Sequence, residues 1–266
     1  MALKLMVFID GYWFYNSRQT LFNLSGEESF EIDYKRIPAL IQDSLCDELD
    51  FDVDLIRTFY HGTLPINKVG YNPTKQRVFY ESLSAQCGFE TDIMEIDCRV
   101  EGNLTDDCSA HVALAANAVR YASMPHACDV ISIVGGHIGY KALAKQLRSF
   151  GKRVMLVTMH NHGEELVTTS PSLVSSPALF DFPHLFLDDH IADLRLVRKE
   201  QKRACKTCGA EESTTWAGSD FFCATCRTEH HVQVRVCDTC GCEEETTWEK
   251  NYFYCTKCRR QHRETK

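Results

Sequence analysis

The sequence predicts an α/β protein: a three-layer sandwich with a mainly parallel sheet, followed by two small four-cysteine metal-binding modules. Three observations lead there. Over the first 190 residues, short apolar runs alternate with longer amphipathic ones, the pattern of buried strands and covering helices. The remainder repeats itself at a fixed offset and carries paired cysteines. Between them lies a basic polar stretch, "RLVRKEQKRA". The divisions fall at 1–194 for the sandwich, 195–204 for a basic linker, 205–231 for the first module and 237–263 for the second.

The strands read as Leu3–Ile9, Val53–Tyr60, Glu90–Ile96, Asp129–Val134 and Arg153–Thr158, with a short sixth at His184–Leu187. Helices read as Tyr34–Leu49, Thr74–Cys87, Asp106–Tyr121 and Tyr140–Phe150, with Gly151 in the position of a C-terminal glycine. The linker is expected to continue a helix out of the sandwich. In parallel sheets, ligands bind beyond the carboxyl ends of the strands. Asp10, His61, Asp97, His137, His160 and His162 all follow strand ends. Asp10 is distinctive: it ends a fully apolar strand, where a charge is costly without a partner.

Composition narrows the class. At 44% hydrophobic and 25% charged, the chain is globular rather than disordered. It has no run of 18 apolar residues, so no membrane span is expected. The opening "MALKLMVFIDGYW" reads as a strand, not a signal peptide, and predicts a cytoplasmic protein. Of 14 cysteines, nine lie between Cys205 and Cys258, which in a reducing compartment indicates metal rather than disulfides. From Arg195 onward there are 14 Lys/Arg against 11 Asp/Glu, or +3; the rest carries 15 against 26, or −11, for a net −8. An acidic body repels phosphate, so nucleic acid would need local basic patches or a divalent metal.

The C-terminal repeat has an offset of 32 residues. Cys205, Cys208, Cys223 and Cys226 align with Cys237, Cys240, Cys255 and Cys258, and each unit has two Cys-x-x-Cys pairs separated by 14 residues. That spacing predicts two structural Zn²⁺ sites. Units of about 30 residues bury too little to fold alone, and metal binding of about 10–16 kcal/mol becomes folding energy. Gly209 and Gly241 suit the tight turn of a metal knuckle. Trp216 and Trp248 are expected in the small cores, and Cys242, in the place of Ala210, reads as an apolar filler. The units resemble GATA-type fingers in the Cys-x-x-Cys-Gly start, the Thr-Thr-Trp stretch and the second pair opening a helix. They depart in a shorter loop and a basic extension reduced to "RRQHRETK". Two zinc–tetrathiolate centres, each −2, bring the +3 tail to about −1. Contact with RNA or a protein partner therefore ranks above sequence-specific DNA binding, beside a purely structural role.

The first 190 residues resemble the NYN branch of the PIN-like nuclease superfamily, a Rossmannoid fold. The carrying stretches are "VFIDGYWFY", "HVALAANAVRYA", "ISIVGGHIGYKALAKQLRSFGKRVMLV" and "SSPALFDFPHLFLDD". The third resembles a strand–turn–helix–strand segment whose turn reads Ser-Gly-Asp-x-Asp-Phe. The resemblance implies Mg²⁺ or Mn²⁺ held by carboxylates for RNA hydrolysis. Asp10 is retained, but Trp13 stands at an Asn, His111 at the central-helix Asp, Asn117 at the next acidic place, and His137 and Gly139 at the turn aspartates. Asp106 or Asp107 can take over the helix role.

Two expectations follow. In one, Asp10, Asp106 or Asp107, His111 and His137 form a divergent Asp/His site for Mn²⁺, Mg²⁺ or Zn²⁺ and the protein is a metal-dependent ribonuclease. In the other, the site is inactive and the domain is an adaptor for RNA or protein. The dinucleotide-binding fingerprint of a dehydrogenase fails, because "VGGHIGY" lacks the Gly-x-Gly-x-x-Gly spacing and follows the fourth strand.

Overall fold

The computed structural model describes residues 2–27, 30–68, 70–99, 108–160, 172–197, 200–215, 221–229, 233–246 and 252–258. It divides into two units, Met1–Leu196 and Val197–Lys266.

The first unit is built on six parallel strands: β1 (Leu3–Asp10), β2 (Val53–Ile66), β3 (Glu90–Asp97), β4 (Val130–Val134), β5 (Arg153–Thr158) and β6 (His184–Phe186). Their order is β3-β2-β1-β4-β5-β6. The helices are α1 (Gly11–Ser25), α2 (Arg36–Leu49), α3 (Thr74–Cys87), α4 (Ser109–Ser123), α5 (Tyr140–Ser149) and the single turn α6 (Ile191–Leu194).

Strand alternation sorts the core into two layers. Leu5, Val7 and Ile9 of β1 pack with Phe14, Ile37 and Leu83 from α1, α2 and α3. Met6 and Phe8, on the other face, pack with Leu114 and Ala118 of α4 and Leu143 and Leu147 of α5. The same period turns Asp10 toward the α4–α5 layer. The strand order reverses between β1 and β4, and their carboxyl ends form the crevice where α/β sheets bind ligands.

Three features differ from the sequence expectation. Helix α1 was not expected, because "GYWFYNSRQ" begins with aromatics that favour strands. Its start is set by the Asp10 carboxylate, whose Oδ1 accepts the Trp13 N–H at 3.0 Å, so one residue both ends β1 and caps α1. Strand β2 runs on to Ile66 because β3 pairs with its whole second half, Phe59–Ile66. The linker does not prolong a helix among the described residues. Arg195 bridges Ile32, the Leu196 N–H bonds Glu31 O at 2.8 Å, and Gln201–Ala204 is already a strand of the second unit.

In the second unit, hairpins β7 (Gln201–Ala204)–β8 (Glu211–Thr214) and β9 (Gln233–Val236)–β10 (Glu243–Thr246) reproduce the sequence offset. Helix α7 (Ala224–Glu229) carries Cys226. The small cores are Phe221 and Phe253, each buried among its cysteines. Trp216 and Trp248 lie outside the described residues.

At the end of β4 the chain turns through Gly135 and Gly136. A Cβ on Gly136 would fall on the Trp13 indole, and one on Gly135 would lie 2.6 Å from Tyr140 Cε2. Gly136→Ala is therefore expected to lower unfolding free energy by about 1–3 kcal/mol, the usual cost of overpacking, as read by chemical denaturation.

Candidate functional site at the strand-order reversal

Asp10 is fully buried. Its Oδ1 caps α1, and its Oδ2 accepts the Tyr140 hydroxyl at 2.7 Å and lies 2.9 Å from His111 Nδ1. His111 Nδ1 and the Tyr140 oxygen are themselves 3.1 Å apart. An unprotonated ring nitrogen this close to a carboxylate would be repelled, so Nδ1 carries the proton of His111. Burial and then the Asp10 charge push the Tyr140 phenol well above its ordinary range, so it remains a donor. The carboxylate thus receives a main-chain amide, a phenol and an imidazole, together with the positive end of α1. These donors offset the cost of burying its charge.

The rings around this cluster are ordered. His137 stacks on His111 with centroids 5.1 Å apart, and Tyr12 meets the edge of His111 at 6.0 Å. His137 Nδ1 accepts the Gly139 N–H at 3.1 Å. Burial, and then the neighbouring His111, lower the pKa of His137. One helical turn along α1, Tyr15 is exposed, and the Arg18 guanidinium lies 3.8 Å from its ring centroid.

The structure brings Asp10, His111 and His137 into one crevice. Asp106 and Asp107 lie outside the described residues. Three groups of described residues place ligand atoms within 4.8 Å of one another, and Asp10, His111 and His137 are not one of them. Mg²⁺ takes a near-octahedral shell of oxygens at about 2.0–2.1 Å. Here one carboxylate, already bonded through both oxygens, faces imidazoles, a phenol and the Trp13 indole packed on the glycine turn. The donor set does not fit the hard cation that the family resemblance implies.

Other expected rim residues have separate partners. His61 sits inside β2 opposite Asp10, fully buried and stacked with Phe8 and Phe59, its Nδ1 3.3 Å from Asp92 Oδ2. Burial lowers its pKa against the opposing pull of Asp92. Asp97 is tied to Arg99 and Asn67, with the Arg99 guanidinium at 2.7 Å holding its carboxyl well below the usual range. The His160 ring nitrogen Nε2 lies 3.1 Å from Asp189, and its main-chain N–H bonds Asp188. With these two aspartates it forms a group spaced to hold a metal ion. His162 lies outside the described residues. Sequence reading missed Tyr140 and Asp188/Asp189. The signal for Tyr140 was present: it adds a hydroxyl where the compared turn has Phe.

The remaining two groups are Cys205, Cys208, Cys223, Cys226 and Cys237, Cys240, Cys255, Cys258. The Sγ pairs Cys208–Cys223 and Cys240–Cys255 are both 3.6 Å apart. A tetrahedral metal with bonds of about 2.3 Å requires sulfur edges of about 3.8 Å, so both clusters suit zinc. Gly209 and Gly241, at φ +74° and +71°, make the knuckle turns, each N–H bonding the first cysteine's carbonyl at 2.8 Å. Four thiolates would hold the ion and supply folding energy. No described helix is long and apolar enough to cross a membrane.

Removing the Tyr140 hydroxyl strips one donor from a buried carboxylate. Tyr140→Phe is expected to cost about 1–3 kcal/mol in denaturant unfolding. The lowered values of His61 and His137 mean that the unfolded chain takes up protons before the folded one. Their contribution is complete above the ordinary value of 6.5 and is lost as pH falls through the lower folded values. Imidazole C2–H NMR titration should place both below 6.5, and His137→Gln should flatten the fall in stability below that pH.

Comparisons with known proteins bear on the first unit. The NYN domain family matches residues 4–178. A crystal structure of a protein of unknown function from Vibrio parahaemolyticus is 18% identical, covers 73% of this chain and 97% of its own, and superposes with a TM-score of 0.46. No curated protein matches. The chain belongs to the NYN domain family.

Proposed function

We propose that this NYN-family chain binds single-stranded RNA at the carboxyl rim of its sheet without the magnesium-dependent hydrolysis expected of PIN-like nucleases. The four-cysteine modules, loaded with zinc, provide a second contact for RNA or a protein partner. One observation carries the reading: both Asp10 oxygens are engaged by protein donors, Oδ1 by the Trp13 N–H and Oδ2 by Tyr140 and His111. What remains at the rim suits recognition. Tyr12, His111 and His137 form a cluster of rings, and α1 also carries the exposed Tyr15 with the half-buried Arg18 beside it. Aromatic and guanidinium faces stack on any base without reading sequence. Because the body is acidic, stacking rather than phosphate neutralisation would dominate, and the salt dependence would be shallow.

A metal-dependent ribonuclease remains the second reading. It is favoured by the meeting of Asp10 with two histidines that stand in the place of family carboxylates.

Fluorescence anisotropy with a labelled oligoribonucleotide separates the two. Zinc-loaded protein is expected to bind in buffer free of magnesium and manganese. Tyr15→Ala should weaken binding by about 1–3 kcal/mol, the worth of one stacked base. Incubation with magnesium, manganese or zinc should leave the RNA intact. Cleavage that depends on a divalent ion and vanishes in Asp10→Asn would instead establish the second reading, and absence of binding at micromolar protein would remove the RNA assignment.

A further inference from the structure

The two four-cysteine modules repeat each other down to their main-chain bonds. The Cys205 N–H bonds Ala210 O and the Cys237 N–H bonds Cys242 O, both at 2.8 Å. Ala210 and Cys242 therefore occupy equivalent positions, two residues after the second cysteine of each knuckle. Only the second module has a thiol there. Read from sequence as an apolar filler, Cys242 is exposed, and its sulfur lies 3.2 Å from Cys240 Sγ.

That distance decides what the fifth sulfur can do. The vertices of a zinc–thiolate tetrahedron are about 3.8 Å apart, and 3.2 Å is too close for two sulfurs sharing one ion. Cys242 instead lies beside the ligand sulfurs, against Cys240 and also within reach of Cys255. Cys240 is exposed, whereas Cys237, Cys255 and Cys258 are buried, so the ligand that solvent reaches is the one beside the extra thiol. Gly241 between them, at φ +71°, turns the chain back on itself.

We propose that Cys240 and Cys242 form an oxidation site at which a peroxide converts the second module, and not the first, from a zinc-bound to a disulfide-bound state. Cys240, as a metal thiolate, attacks one peroxide oxygen. The O–O bond breaks, hydroxide leaves, and Cys240 becomes a sulfenic acid that no longer holds the ion. The Cys242 sulfur then attacks the Cys240 sulfur, forming the S–S bond and displacing the sulfenic hydroxyl, which takes the Cys242 proton and leaves as water, while the hydroxide from the first step takes a proton from solvent. One peroxide accepts two electrons from two sulfurs, and the zinc is left with three ligands. In the first module the exposed ligand Cys208 has Ala210 in the corresponding place, so its sulfenic acid has no neighbouring thiol at that position. Proximity makes the second step effectively intramolecular.

The test uses the full chain loaded with two zinc ions, treated with increasing hydrogen peroxide. A chromophoric chelator reports free zinc, and peptide mass spectrometry maps disulfides. One equivalent is expected to be released early, together with a Cys240–Cys242 disulfide, and the reductant dithiothreitol with added zinc should restore the starting state. Cys242→Ala and Cys242→Ser, each first shown to bind two zinc ions, should slow that early release roughly tenfold or more. Ala210→Cys should give the first module the same sensitivity. The proposal is overturned if either Cys242 variant releases zinc as fast as the native chain, if the early disulfide joins Cys237 to Cys240, or if Ala210→Cys changes nothing. Should a Cys242 variant fail to load zinc, the Ala210→Cys result and the native disulfide map decide alone.

Discussion

The buried carboxylate of Asp10 organises the first unit. It ends the central strand, starts the first helix and holds together two further helices through His111 and Tyr140. A charge with no exposure survives there because three donors and a helix terminus converge on it. The close packing around it follows. Only glycine fits at Gly135 and Gly136, because Tyr140 and Trp13 must pass over that turn to complete the cluster.

This arrangement engages both oxygens of Asp10 with groups of the protein itself. A metal site keeps acceptors aimed at empty space and relies on the ion to neutralise them. By the family resemblance, His111, Asn117, His137 and Gly139 stand where carboxylates are expected, and the Asp10 carboxylate is bonded to its own chain. The PIN-like sheet needs only apolar strands and helix faces, so it retains its form when the chemistry of its rim changes.

The second unit works on the opposite principle. Among the described residues, each module buries one phenylalanine with three of its cysteines, little core for an unaided fold, and gathers four sulfurs within 4.8 Å of one another. Zinc held by these sulfurs would supply the missing folding energy. The duplication allows one copy to keep a plain ligand set while the other gains a neighbouring thiol.

How much of this was legible beforehand follows from the range of the forces involved. Strand periodicity, the 32-residue repeat and the cysteine spacing are local, and they determined the sheet and the thiolate clusters. The cost of a lone charge ending an apolar strand marked Asp10 from sequence alone. Helix α1 escaped because aromatic residues favour strands locally, and its start depends on a cap made by the preceding strand's last side chain. Which groups satisfy Asp10 could be decided only by tertiary structure: strand alternation and two crossovers bring residues 111 and 140 to it from more than a hundred positions away. The same holds for Cys242, whose residue type suggested a filler, while its exposure and its distance from Cys240 depend on how the knuckle turns.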